Sequence, residues 1–258
     1  MSDKLFYYGG NIDSDISGIS KKSTDEQNRR SRLFYLLQVN DALFPIGGYS
    51  HSQGLETYIQ KGLVCDEKTA EAYILHKLKW NLEYTELLAV RLAWERAMAS
   101  DLDGLLALEE ILEASRLPME QRDASKKMGS RFVKTVEKLG LTELETGIFA
   151  DYVAARKGMV CNHPVVYGLF CGALGIDLAN VLSHFLYAQT SAMVTNCVKS
   201  IPLSQTAGQK ILSDCYDCFQ SILSDVLVLT EDDLCLSAPG FDVRGMQHEK
   251  LYSRIYMS

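Results

Sequence analysis

No Gly-Lys pair occurs anywhere in the 258 residues. The chain therefore lacks a G-x-x-x-x-G-K-[ST] phosphate cradle, and any nucleotide hydrolysis linked to it must come from another protein. It also lacks an H-E-x-x-H pair: His248-Glu249 stands near the end without its second histidine, which argues against zinc hydrolase chemistry. Positive charge is in short supply, with 26 Lys and Arg against 33 Asp and Glu for a net charge of −7. A nucleic-acid binder presents a dominant basic face, so DNA and RNA are excluded as partners. A local basic group at Lys21, Lys22, Arg29, Arg30 and Arg32 reads as a solvated tail.

The seven cysteines are odd in number and show no repeated spacing, so they form no disulfide framework. Residues 1–30 have no apolar segment behind a basic start, which predicts no secretory signal. Both features fit a reducing cytoplasm. Two segments, Gly158–Ile176 and Leu178–Val198, have no Asp, Glu, Lys or Arg. Asn162, His163 and Pro164 in the first, and Asn180, His184, Gln189 and Asn196 in the second, are too polar for a membrane span. The expectation is two helices buried in a core or subunit interface, and no membrane.

What is present is helical. With 47% hydrophobic and 23% charged residues, the composition is that of an ordinary globular chain. The N-terminal 30 residues carry five positive and five negative charges without a sustained period, and read as a flexible arm. From Arg32, Leu33, Leu36, Leu37 and Asn40 step by three and four. Asp66 is placed to cap a helix through Leu78 or beyond, and Trp80 to about Ala99 forms another. Asp101 or Asp103 opens a helix through Ser115, and Pro118 opens one that Gly140 stops. Thr142 and Glu145 have capping-box spacing for a helix ending near Gly158. Asp177 caps a helix with Leu178, Val181, Leu182 and Phe185 on one stripe, and Gly208–Leu229 carries a similar stripe. Sustained alternation is absent, so no strand is expected. The chain divides into the arm over 1–30, one all-α domain of roughly ten helices over 31–239, and a tail over 240–258.

Catalytic signals are faint. Gly48-Tyr49-Ser50-His51-Ser52 is one residue from a G-x-S-x-G elbow, but the second glycine is a serine and no core strand precedes it. A structural turn displaying Tyr49 and Ser50 is the favoured reading; the rival is an all-α hydrolase using Ser50 with a histidine. Cys215-Tyr216-Asp217-Cys218 is a single C-x-x-C in a helical pattern, short of the four ligands of a closed metal site. His51 and Cys161-Asn162-His163 could offer nickel ligands, with hydrogen-bonded structural roles favoured. In the tail, Leu251, Ile255 and Tyr252 would share one face of a short helix. Tyr252, Arg254 and Tyr256 are residue types enriched at binding hot spots. A tail that orders on docking is favoured over one packed permanently on its own domain.

Leu43-Phe44-Pro45-Ile46-Gly47-Gly48-Tyr49-Ser50-His51-Ser52-Gln53-Gly54-Leu55-Glu56 resembles the signature of the urease accessory protein F (UreF) family. Gln247–Ser258 resembles the C-terminal signature of the same family, and Lys199–Gln209 resembles its central Pro-Leu…Gln…Gly-Gln segment. The likeness runs from about Arg32 to Ser258. Many members carry Val at the position of Ile46 and Arg at the position of Lys199; a lysine there loses a planar donor fork. The resemblance implies an all-α, non-enzymatic, cytoplasmic homodimer. It would bind a UreD/UreH-type partner, recruit the GTPase UreG, and help deliver nickel to apo-urease, where a carbamylated lysine completes the metal centre. It implies no tightly bound cofactor in this chain. On that basis Tyr49, Ser50, His51 and Glu56 are expected to face the GTPase. Tyr252, Arg254 and Tyr256 would organise the tail at partner interfaces, with Lys199 also partner-binding and Phe34 and Phe219 at the dimer contact.

Overall fold

A computed structural model describes residues 30–236 and 238–258. The expected arm over 1–30 lies outside the described residues, apart from Arg30, which is already helical. The described residues contain no strand. Helix α1 spans 30–40. Eleven more follow: α2 (Leu55–Gln60), α3 (Glu67–Lys77), α4 (Leu88–Met98), α5 (Leu102–Ser115), α6 (Met119–Leu139), α7 (Ile148–Ala155), α8 (His163–Ala173), α9 (Leu178–Ser200), α10 (Gln205–Asp214), α11 (Tyr216–Val226) and α12 (Pro239–His248).

Local chemistry sets most boundaries. Asp66 accepts from the Thr69 amide and its partner box is complete, so α3 starts where its side chain satisfies an orphan donor. Asp101 does the same for α5 through Gly104 N, and Asp177 for α9 through Asn180 N. Pro118 precedes α6 and Gly140, at φ 62°, ends it.

Helix α8 is the centre. Every residue from His163 to Gly172 is buried, as the absence of charge over 158–176 suggested. It lies between α4 and α6. Gly168 and Gly172 let α8 and α4 approach closely: a Cβ on Gly168 would meet Val90 O and lie 2.8 Å from Ala93 Cβ, and one on Gly172 would lie 2.7 Å from Ala97 Cβ. Phe132 of α6 packs edge-on against Phe170, with ring centres 5.5 Å apart, and Tyr167 packs on Phe185 of α9 at 4.9 Å. Asn40 donates to Tyr167 OH at 2.7 Å and ties α1 to this centre. Around it α9 packs on α3, α4, α10 and α11, and α12 packs on α2 and α6.

Several local expectations fail for tertiary reasons. The run after α3 is not an α-helix at first: Leu78–Leu87 widens into a π-helix before α4 begins. Within it Glu83 is buried beside Lys79, and Glu86 pairs with Arg116. Both carboxylates lie within the wider turn, and the pairing of Glu86 with Arg116 is one that periodicity does not reveal. Thr142 heads only a short 3₁₀ turn (Thr142–Leu144) without a side-chain cap, and α7 starts after Gly147. The stripe over 208–229 is split into α10 and α11 at fully buried Cys215, and both halves pack on α9. The tail beyond α12 is not helical. Its amides at Ile255 and Tyr256 are taken by the Glu56 carboxylate instead of by i−4 carbonyls, and ten residues are too few to hold an isolated helix in water.

Candidate partner-binding site

The first signature folds as a loop between α1 and α2. Gly47 (φ 82°) turns the chain into a single 3₁₀ turn over Gly48–Ser50. Gly54 (φ 89°) then sits as the N-cap of α2, without a side-chain cap bond. Ser52 partly supplies one, accepting from Glu56 N at 3.4 Å. Gly54 also lies where α12 crosses: a Cβ there would stand 3.4 Å from the Gly245 backbone and 3.2 Å from Gln121 Nε2.

The tail seats on this loop and on α2. Ser52 N and Gln53 N donate to Ser258 O at 2.6 and 2.9 Å, and Ser52 Oγ donates to the same oxygen at 2.8 Å. His51 Nδ1 shares a 2.8 Å hydrogen bond with Ser258 Oγ, and Met257 N donates to Ser50 O at 2.8 Å. Glu56, only 5% exposed, is the hub. Its carboxylate accepts from Ile255 N at 2.7 Å and Tyr256 N at 3.1 Å, and lies 3.2 Å from His248 Nε2. The other His248 nitrogen is 2.6 Å from Glu120 of α6, whose second oxygen takes Arg254 Nη1. Gln60 Nε2 donates to Ser253 O at 2.6 Å. Tyr256 is buried, and its hydroxyl accepts from Ser200 at the end of α9. Asn196 of α9 donates to His51 O at 3.1 Å. Loop, tail, α6 and the central segment thus form one unit.

An open groove of about 500 Å³ runs along it, lined by His51, Glu120, Lys127, Arg254, Tyr256 and Met257 among others. Burial lowers the His51 pKa, and the Lys127 and Arg131 cations lower it further against the opposing Glu120. Outward from the unit stand Tyr49 (74% exposed), Tyr252 (fully exposed), Ile255 and Met257.

The residues expected at interfaces therefore fall into two sets. Tyr49, Tyr252, Arg254, Lys199 and Phe34 are exposed, Phe34 by 67%. His51, Glu56 and Tyr256 are buried and fasten the tail to its own domain. Phe219 is 8% exposed, covered by its own chain on α11. Ser50 donates its hydroxyl to Gly47 O, and the adjacent His51 ring is bound to Ser258. Tail packing on the parent domain, the less favoured sequence reading, is the observed arrangement. The roles of Glu120, Gln60 and Asn196 in holding the loop and tail are not legible in the sequence. No local signal marks them, since their partners lie 134, 193 and 145 residues away.

Metal-ligating groupings are absent: among the described residues no cluster of three or more His, Cys, Asp or Glu could hold an ion. Cys215 is buried, which pushes its thiol up to about 12, away from redox activation. Among the described residues no helix is long and apolar enough to cross a membrane.

A family model for UreF matches residues 64–216. The urease accessory protein UreF of Lachnoclostridium phytofermentans is 34% identical over 224 residues, covering 86% of this chain and 97% of that protein. The chain belongs to the UreF family. Its members are accessory proteins of urease rather than enzymes, which removes the Ser50 hydrolase as the working reading. The UreF model match leaves out both end signatures, whereas the Lachnoclostridium relative is similar over most of the chain. In this UreF-family chain the two signatures meet in space as the loop–tail unit.

Proposed function

We propose that this UreF-family chain is a cytoplasmic scaffold for assembly of the urease nickel centre. It binds a UreD/UreH-type partner, recruits the GTPase UreG, and acts with apo-urease as a homodimer. Nickel is handled by the assembled complex, and the isolated chain binds none tightly. The observation that carries this reading is the loop–tail unit. A buried polar network fixes the tail in one conformation, so Tyr49, Tyr252, Ile255 and Met257 are displayed without an ordering cost at docking. Exposed aromatics beside Arg254 and a charged groove have the composition of a protein-binding hot spot.

The test is a pull-down with UreG and the UreD/UreH-type partner, read by size-exclusion light scattering. Wild type is compared with Tyr252→Ala, Arg254→Ala and a deletion of residues 247–258. Wild type should form a stable complex, and the folded variants should lose the GTPase. A wild-type chain that binds neither partner with nickel and nucleotide present refutes the scaffold.

A further inference from the structure

A small, partly open polar cavity of about 30 Å³ lies between the helices beside the loop–tail unit, with Gln53 of the loop on its lining and Ala124 shared with the groove. The end of α3, the π-helical segment, the start of α6 and the first turn of α8 surround it. Its charged and imidazole lining is Lys77, Glu86, Arg116 and His163, and Gln121 and Gln189 are among the neutral polar side chains that complete it. Three of these side chains carry a buried nitrogen with no hydrogen-bond partner: Arg116 Nε, Gln121 Nε2 and His163 Nε2. His163 is more than nine-tenths buried. Arg116 Nη2 stands 2.9 Å from Glu86 Oε1 but is not aligned to hydrogen-bond with it. All the fully buried side-chain atoms left without a partner on this lining are nitrogens.

The charge balance points the same way. Burial alone would raise the Glu86 pKa, but Arg116, the Thr85 hydroxyl and Lys77 hold it below the ordinary value, so Glu86 stays ionised. Burial lowers Lys77 to about 8, which leaves it charged at neutral pH. Two cations therefore face one carboxylate across the lining; Asp242 acts on Lys77 from α12 but is not part of the lining. The N-terminus of α8 opens on the same space and adds the positive end of its dipole. A water molecule brings two donors of its own to a site already rich in donors. An anion accepts from all of them.

We propose that this cavity binds one small monovalent anion, of chloride or formate size, held by Lys77, Arg116 and Gln121. The volume admits one or two water-sized groups, so phosphate and sulfate are too large.

The test is thermal unfolding of the full chain at neutral pH and constant ionic strength. Sodium gluconate, too large to enter, is the reference for chloride and formate. Wild type should show a saturable rise in Tm of about 3–5 °C at tenfold excess over the dissociation constant. The arm that shifts identifies the occupant as halide or carboxylate. Gln121→Leu and Lys77→Met should keep the helical circular dichroism and lose the dependence. Equal Tm values in all three salts, or an unchanged dependence in both variants, overturn the proposal. Should the variants fail to fold, wild-type crystals soaked in bromide or formate decide it. Density for either ion between Lys77, Arg116 and Gln121 upholds the site, and water alone in both soaks overturns it.

Discussion

Replacing Glu56 should release the tail while leaving the helical core intact. The Glu56 carboxylate is 5% exposed and accepts two main-chain amides from the tail, with an imidazole nitrogen 3.2 Å away. Hydrogen bonds to a charged group are the strong ones, and a donor left unpaired in a buried site carries its full desolvation penalty. Three such partners do not add in full, because the freed tail can move out to water. Removing one member of a buried charged network costs about 3–5 kcal/mol. The exposed Arg254–Glu120 pair contributes far less. Glu56→Ala should therefore raise the open population of residues 250–258 by roughly 10² to 4 × 10³-fold. Glu56→Gln is the sharper probe. Its oxygen can still accept from one tail amide, but its NH₂ faces the other donor, so it should resemble Ala more than wild type.

Amide hydrogen exchange at Ile255, Tyr256 and Met257 reads this directly, and exchange in α4 and α8 serves as the internal reference. Loss of protection confined to the tail is the expected result. Unchanged protection at Ile255 and Tyr256 in Glu56→Ala would falsify the hub role. Equal losses in tail and core would show that the tail is inseparable from the global fold.

Gly168→Ala places a methyl against Val90 O and 2.8 Å from Ala93 Cβ, so urea unfolding should show a loss of about 1–3 kcal/mol. A loss within error would mean α4 and α8 can separate freely. Burial lowers the His163 pKa from 6.5 to about 4. A depressed folded value gives stability that is complete above pH 6.5 and is lost as pH falls toward 4, by up to about 3 kcal/mol. His163→Gln should flatten that part of the stability–pH curve, and an unchanged slope refutes the assignment. Phe34→Asp changes an exposed face of α1 and should give a folded chain of monomer mass if α1 contributes to the homodimer. Phe219→Asp buries a charge instead and should lower the urea midpoint sharply without a folded monomer appearing.

What the sequence disclosed and what it hid divide along a physical line. Asp66, Asp101, Asp177, Pro118 and Gly140 act on backbone groups within four residues, so their caps and stops were readable. The uncharged run over α8 announced burial because charge cannot be buried cheaply without partners. The extended tail and the partners of the buried carboxylates depend on groups distant in sequence. Glu86 needs Arg116 and Ile255 needs Glu56, 199 residues away. Periodicity carries no information about such pairs. The cavity was equally invisible, since Lys77, Arg116 and His163 come from three separate helical contexts.

The two end signatures show why a linear motif can be assigned to the wrong physical task. Tyr49, Ser50, His51 and Glu56 lie within eight residues, and sequence alone treats them as one surface. In space they alternate between jobs. His51 and Glu56 turn inward and hold Ser258, Ile255 and Tyr256, while Tyr49 turns outward. The tail divides in the same way, with Tyr256 inward and Tyr252 and Ile255 outward. Neither half is self-sufficient. The loop leaves Ser52 N and Gln53 N to be satisfied by the tail, and the tail has no regular structure of its own. Inward substitutions should thus act on partner binding only through tail order, and hydrogen exchange will register them before any partner is added. Outward substitutions should weaken binding while leaving tail protection unchanged. An outward change that also unlocked the tail would break this division and return Tyr49 and Tyr252 to a purely structural role.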